Sequence, residues 1–232
     1  MKTTPGVKDS APRPFFAPFW HSCALCRAPC QNAVCAPCRQ DIARLAAPSR
    51  CLQCAAPASA PACGECLRNP PAFDRTFAAL DYAPPLSALV QDFKFRGQWQ
   101  TARFLAQLAR APEADMLLPV PLFFARERWR GFNQARELAR ALPAPVPPRR
   151  EDILMRITET RQQSLLTAPE RLKNVRGAFA VQGDVRGKTI LVLDDVMSSG
   201  ATLNETARVL KKAGAAKVIN LVIARASFNA SF

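Results

Sequence analysis

The chain has 232 residues, nearly half of them hydrophobic, and a net charge of +14. That length supports one ordinary domain with a real core plus a small one, and no apolar run approaches the roughly 20 residues of a membrane-spanning helix. Arginine outnumbers lysine three to one; its planar fork suits bidentate phosphate contacts, although an alanine-, proline- and arginine-rich composition gives the same excess with no nucleic-acid partner.

Residues 1–20 read as a Pro-rich tail. They lack the continuous apolar stretch of a signal peptide, so the expected location is the cytoplasm. Residues 21–70 hold all nine cysteines. In a reducing compartment, cysteine density of this kind indicates metal rather than disulfides. Eight of them fall as Cys23-x2-Cys26, Cys35-x2-Cys38, Cys51-x2-Cys54 and Cys63-x2-Cys66, the second set of four repeating the first with a shift of 28 residues. Each C-x2-C knuckle turns two thiolates onto one ion, and two knuckles close a structural zinc site. Pairing knuckles in sequence gives two self-contained zinc ribbons. A cross-braced pairing of one with three and two with four is also compatible with the spacing. Cys30 is expected to be a spare thiol, and His21, the single histidine, a surface residue. So short a module buries little core, and metal must supply much of its folding energy.

Residues 71–232 alternate strand and helix patterns, which predicts an α/β domain with a parallel twisted sheet and flanking helices. FDRTFAALDYA reads as strand, PLSALVQDFKFRG and WQTARFLAQLARA as helices, and Met116–Val120 as a buried strand running into a Pro-rich loop. ARERWRGFNQ places Arg126, Arg128 and Arg130 at alternate positions before the helix GFNQARELARAL. DILMRIT and NVRGAFAV read as strands joined by a long polar segment carrying Arg161, Arg171, Lys173 and Arg176. Connections of that length are lids, binding loops or disorder. KTILVLDD and AKVINLVIAR are the last two strands.

The most informative stretch is ILVLDDVMSSGAT, residues 190–202. A buried strand ends in Asp194 and Asp195. The small-residue turn Ser198-Ser199-Gly200-Ala201-Thr202 then opens a helix. Ligands of open α/β sheets lie beyond the carboxyl ends of the strands, and a helix N-terminus presents amides and a positive dipole to a phosphate. Carboxylates for hydroxyls or metal and amides for a phosphate are together what a ribose 5-phosphate requires.

This stretch resembles the signature of type I phosphoribosyltransferases along its whole length. The resemblance implies that fold for residues 71–232, with Asp194 and Asp195 on the ribose hydroxyls of phosphoribosyl pyrophosphate. It implies further that Ser198 through Thr202 cradle the 5-phosphate, that the loop of Pro119, Val120, Pro121 and Leu122 faces pyrophosphate, and that a mobile lid carries phosphate contacts from Arg130, Arg161, Arg171, Lys173 and Arg176. Mg2+ is expected on the pyrophosphate. The paired knuckles, Phe93-Lys94-Phe95-Arg96-Gly97, Arg130-Gly131-Phe132-Asn133-Gln134 and Asn174-Val175-Arg176-Gly177-Ala178-Phe179 add a second resemblance, to the ComF family of competence proteins with its GntX-type relatives. That family is implicated in handling single-stranded DNA during natural transformation, so competence-machinery proteins are implied partners.

Two functions follow. One is a sugar-phosphate-binding protein of DNA uptake, in which the basic segment and Phe95, Trp99, Phe123, Phe124, Trp129 and Phe132 offer backbone contacts and stacking platforms, Trp129 being the best exposed candidate. The other is an active transferase that displaces pyrophosphate by positioning and electrostatics, without a catalytic His or Cys.

Overall fold

The computed structural model describes residues 21–96, 99–159 and 168–226. Its centre is a four-stranded sheet of β3 (Arg75–Asp81), β4 (Met116–Pro119), β7 (Thr189–Met197) and β8 (Lys217–Arg225), in the order β3-β8-β7-β4. All three neighbouring pairs are parallel. The strands read as continuous apolar runs because both faces are covered. Side chains alternate across the sheet: Leu191, Leu193, Leu221 and Ile223 enter one core and Ile190, Val192, Val218 and Val222 the other. On the first face pack α3 (Leu86–Arg96), α4 (Trp99–Gln107) and α6 (Gln134–Ala141); on the second packs α8 (Ala201–Lys212).

Two elements depart from the sequence reading. DILMRIT and NVRGAFAV form β5 (Leu154–Arg156) and β6 (Phe179–Val181), which pair antiparallel in a separate ribbon. The apolar period alone does not say which sheet a short strand joins. Between them lies α7 (Ala168–Val175). The polar segment around Arg161 and the side chain of Arg171 fall outside the described residues. The second is α5 (Phe124–Arg130), a helix of its own in the stretch that the sequence reading placed only before the helix GFNQARELARAL. On a helix, alternate positions diverge, and it is Arg126 and Arg130, four residues apart, that share a face.

The cysteine-rich segment contains a short ribbon, β1 (His21–Ser22) with β2 (Pro29–Cys30), and two helices, α1 (Ala36–Ala43) and α2 (Gly64–Arg68). It does not stand apart from the larger domain. Cys23 belongs to the core under α3 and α4, while Cys51, Cys54 and Cys66 belong to the core under α8. Backbone bonds from Thr76 N–H to Leu52 O and from Asp81 N–H to Leu45 O tie the segment to both ends of β3. An Arg50–Asp81 ion pair at 2.8 Å adds to them. No helix among the described residues is long and apolar enough to cross a membrane.

Candidate functional site: a basic cavity and two cysteine clusters

β4 stops at Pro119, opposite Leu193, whereas β7 continues to Met197 beside β8. Asp194 and Asp195 therefore lie where the sheet has lost one neighbour, at its carboxyl end. A cavity of about 500 Å³ opens there, between the two aspartates and the start of α8. Gly200 caps α8 with a left-handed backbone, φ 77°. A side chain at that position would meet Met197, since a Cβ there lies 2.6 Å from Met197 Cε. The Ala201 N–H bonds the Ser199 hydroxyl at 3.4 Å. Ser198, Gly200, Ala201 and Thr202 line the cavity, so the first turn of α8 brings its outward amides and positive dipole end to it.

The two carboxylates are not equivalent. Asp195 pairs with Lys94 of α3, Nζ to Oδ2 at 3.0 Å. Burial alone would lower the Lys94 ammonium, but Asp195 outweighs it and holds Lys94 above its ordinary value. Burial pushes the Asp194 carboxyl up to about 7, and the neighbouring Asp195 charge adds to the rise. Burial and a like charge both disfavour the ionised form of a carboxyl.

Lys94, Arg126, Arg130 and Arg156 line the cavity with these two acids, so cations outnumber carboxylates two to one. Arg130 donates to Gln134 Oε1 at 2.8 Å. Its Nε and the Gln134 Nε2 are buried with no acceptor. Buried donors left in this state in a cavity wall are set for an acceptor brought by a ligand. The chemistry of the wall thus suits a polyanion bearing hydroxyls.

Of the residues singled out in the sequence, Asp194, Asp195, Val120, Leu122, Arg126, Arg130, Ser198, Gly200, Ala201 and Thr202 come together here. Lys173 and Arg176 are exposed elsewhere, and neither they nor Arg128 line the cavity. In the loop after β4, Pro119 and Pro121 have no N–H, and the Val120 N–H is donated to Leu193 O at 2.9 Å. This segment presents apolar surface, and the nearby positive charge comes from arginine. Asn133 fixes its position, donating to Val120 O at 3.0 Å while its own side-chain oxygen caps α6 through Arg136 N–H. Sequence reasoning missed Lys94 and Arg156 as site residues. Lys94 stood in a recognised motif, FKFRG, and a lysine between two phenylalanines on a helix facing the sheet was its signal.

The aromatic set divides. The Phe132 ring packs tilted against that of Phe93, centroids 5.6 Å apart, on the core. Phe124 and Trp129 are 72% and 74% exposed, on the helix whose Arg126 and Arg130 face the cavity. The side chains of Phe95 and Trp99 lie outside the described residues.

All nine cysteines are free thiols. Eight of them gather in sequential pairs of knuckles, Cys23, Cys26, Cys35 and Cys38 in one cluster and Cys51, Cys54, Cys63 and Cys66 in the other. Within each cluster the sulfurs all lie within 4.8 Å of one another. The repeat extends to the backbone. Arg27 and Ala55, each one residue past a knuckle, have φ of 65° and 55°. Cys35 N–H donates to Cys23 Sγ, and Cys63 N–H to Cys51 Sγ, both at 3.4 Å. Sulfur pairs at 3.6 Å, Cys26 with Cys35 and Cys54 with Cys63, approach the edge of about 3.8 Å implied by four thiolates around one tetrahedral zinc. Burial opposes ionisation of Cys23 and Cys51, yet backbone N–H donors bring them to about 6 and about 7. Adjacent sulfurs, with burial, raise Cys38 to about 12. Each cluster can hold a metal ion, whose charge would relieve that crowding. Cys30 stands outside both, its thiol donating to Asn32 O at 2.9 Å.

A family model described as the phosphoribosyl transferase domain matches residues 102–227. The chain is 31% identical over 213 residues to competence protein F of Haemophilus influenzae, covering 84% of this chain and 92% of that one. It is 34% identical over 232 residues to DNA utilization protein YhgH of Salmonella typhi, covering 94% and 96%. Against competence protein ComFC of Bacillus subtilis it is 30% identical over 159 residues, covering 62% and 61%.

Proposed function

The chain belongs to the family of competence protein F, built on a phosphoribosyl transferase domain, and from that premise we propose that it is a cytoplasmic protein of DNA uptake or utilisation that binds phosphoribosyl pyrophosphate or a related ribose phosphate. The observation that carries the reading is the cavity at the carboxyl end of β7. There two carboxylates suited to ribose hydroxyls face an α8 N-terminus suited to a 5-phosphate, ringed by Lys94, Arg126, Arg130 and Arg156. In this reading Asp194 and Asp195 accept from the sugar, residues 198–202 hold its 5-phosphate, and the arginines face the pyrophosphate. Mg2+, when bound, neutralises pyrophosphate charge. Zinc fills both cysteine clusters, as four thiols at tetrahedral spacing favour, and free thiols in that number fit a reducing compartment.

Single-stranded DNA is the proposed second partner. Its backbone would be drawn to a chain of charge +14, and a base can stack on exposed Trp129 beside the arginines of α5. Proteins of a competence machinery are the expected macromolecular context.

The test is a titration of phosphoribosyl pyrophosphate with Mg2+ into wild type and Asp195→Asn. The expected result is saturable binding by wild type, lost in the variant; absence of binding by wild type sinks the reading. A parallel single-strand titration over a salt series should weaken steeply as salt rises. Pyrophosphate release in the presence of bases, glutamine or ammonia would instead make the protein a working transferase.

A further inference from the structure

The two cysteine clusters share one local fold, yet among the described residues it is the second that is hydrogen-bonded, through one side chain, to the sugar-phosphate loop. The connection is Arg225, the last residue of β8 and 1% exposed. Its Nε donates to the backbone carbonyl of Cys54 at 2.7 Å. Its Nη1 donates to the carbonyls of Met197 at 3.1 Å and Ser198 at 2.6 Å, and to that of Ala226. One guanidinium thus holds a residue of the second cluster and the two residues that open the phosphate loop. Arginine's rigid fork is suited to fixing several acceptors at once.

The neighbouring packing reinforces the link. Cys51, Cys54 and Cys66 share a hydrophobic core with Met197 and Leu203. Asn204 of α8 accepts from Ala72 N–H at 2.7 Å, tying that helix to the chain just after the cluster. A buried guanidinium deprived of one acceptor must find another or move. If the second cluster loses its ion, the knuckle that presents the Cys54 carbonyl is released, and with it one side of the clamp on residues 197 and 198.

We propose that Arg225 is a positioning residue that couples metal occupancy of the second cysteine cluster to sugar-phosphate binding at the Ser198–Thr202 loop. The first cluster lies on the opposite face of the sheet and takes no part. The coupling rests on the ribose-phosphate reading of the cavity, and it is reciprocal: what the metal does for ligand affinity, the ligand does for metal affinity.

The full chain, loaded with zinc, is equilibrated with a chromophoric chelator in the absence and presence of saturating ribose 5-phosphate, and the zinc retained is measured. A Cys26→Ser variant removes first-cluster zinc and assigns the two sites. Ribose 5-phosphate should raise zinc affinity at the second cluster by about tenfold and leave the first unchanged. Arg225→Lys, which keeps charge but not the fork, should reduce that gain several-fold, a change that a purely structural side chain would not produce in a ligand-dependent difference. Equal zinc retention with and without ribose 5-phosphate, or an equal gain at both clusters, overturns the coupling. These outcomes are read in wild type, with Cys26→Ser assigning the sites, so they hold even if Arg225→Lys fails to fold. Failure of zinc-loaded wild type to bind ribose 5-phosphate overturns this coupling, whereas the sugar-phosphate reading itself falls only if phosphoribosyl pyrophosphate also fails to bind.

Discussion

The two cysteine clusters carry the same spacing, the same left-handed residue after a knuckle and the same N–H···S bond. Their surroundings differ. In the first, Cys26 is exposed and Cys35 and Cys38 are half-buried; in the second, Cys51, Cys54 and Cys66 are buried. The first leans on α3 and α4, whereas the second fills a core shared with α8, the helix that follows the phosphate loop. Duplication of a sequence motif duplicates its local hydrogen bonding, because that depends on nearby residues. It does not duplicate the role, which depends on what each copy packs against.

The widest expected gap between the clusters comes from removing one ligand in each. Cys66→Ser should cost more than about 4 kcal/mol, since it takes both a metal ligand and core packing from a buried site. Cys26→Ser, at an exposed ligand, should lower the melting temperature less. Thermal melting with zinc analysis checks this, and equal losses would break the contrast. Next comes Asp195→Asn. It leaves Lys94 half-buried without its partner at a cost of about 2–3 kcal/mol, the usual penalty for breaking a buried pair discounted for partial exposure. Sugar-phosphate affinity should fall, while zinc content at both clusters stays the same. A zinc loss would mean that the Asp195 carboxylate itself, and not only the packing of Met197 and Leu203 on the second cluster, supports metal binding.

Gly200→Ala should cost about 1 kcal/mol or more, because φ at this residue is 77° and the new methyl meets Met197. Met197 sits in the second cluster's core, so the variant should weaken zinc retention there in preference to the first cluster.

Protonation probes the cavity apart from the clusters. Folding raises Asp194 from 3.8 to about 7. The cost of its buried charge is therefore fully present above pH 7 and is relieved as pH falls toward 3.8, so Asp194 favours the folded state more at pH 5 than at pH 8. If the ionised form accepts a ribose hydroxyl, affinity runs the opposite way. It should fall by up to roughly tenfold per pH unit below 7. Calorimetric titrations of ribose 5-phosphate between pH 5.5 and 8, with inorganic phosphate as control for the ligand's own titration, measure it. A pH-independent affinity would remove Asp194 from the contact.

Trp129→Ala should have the smallest effect on stability, within about 0.5 kcal/mol, as expected of an exposed side chain. Its effect belongs to single-strand affinity, where one lost stack is worth about 1–3 kcal/mol. Unchanged affinity would move the DNA path away from α5.

Much of this molecule was legible before its structure. The strand ending in Asp194 and Asp195, the small-residue turn into α8 and the grouping of cysteines by knuckle are local patterns, set by backbone preference and ligand spacing within a few residues. The two cysteine pairings remained open on spacing alone, and folding brought the sequential partners together. The ribbon of β5 and β6 was read as part of the sheet, because a short apolar run carries no record of its neighbour. Arg126, Arg128 and Arg130 looked equivalent until α5 turned one of them away. Lys94, more than 100 residues from Asp195 in the chain, came to that carboxylate only through the packing of α3 on the sheet. Arg225 reads in sequence as the end of a strand. What it joins, Cys54 on one side and Ser198 on the other, was decided by tertiary structure alone, since a buried guanidinium takes its acceptors from whichever backbone the fold brings within reach.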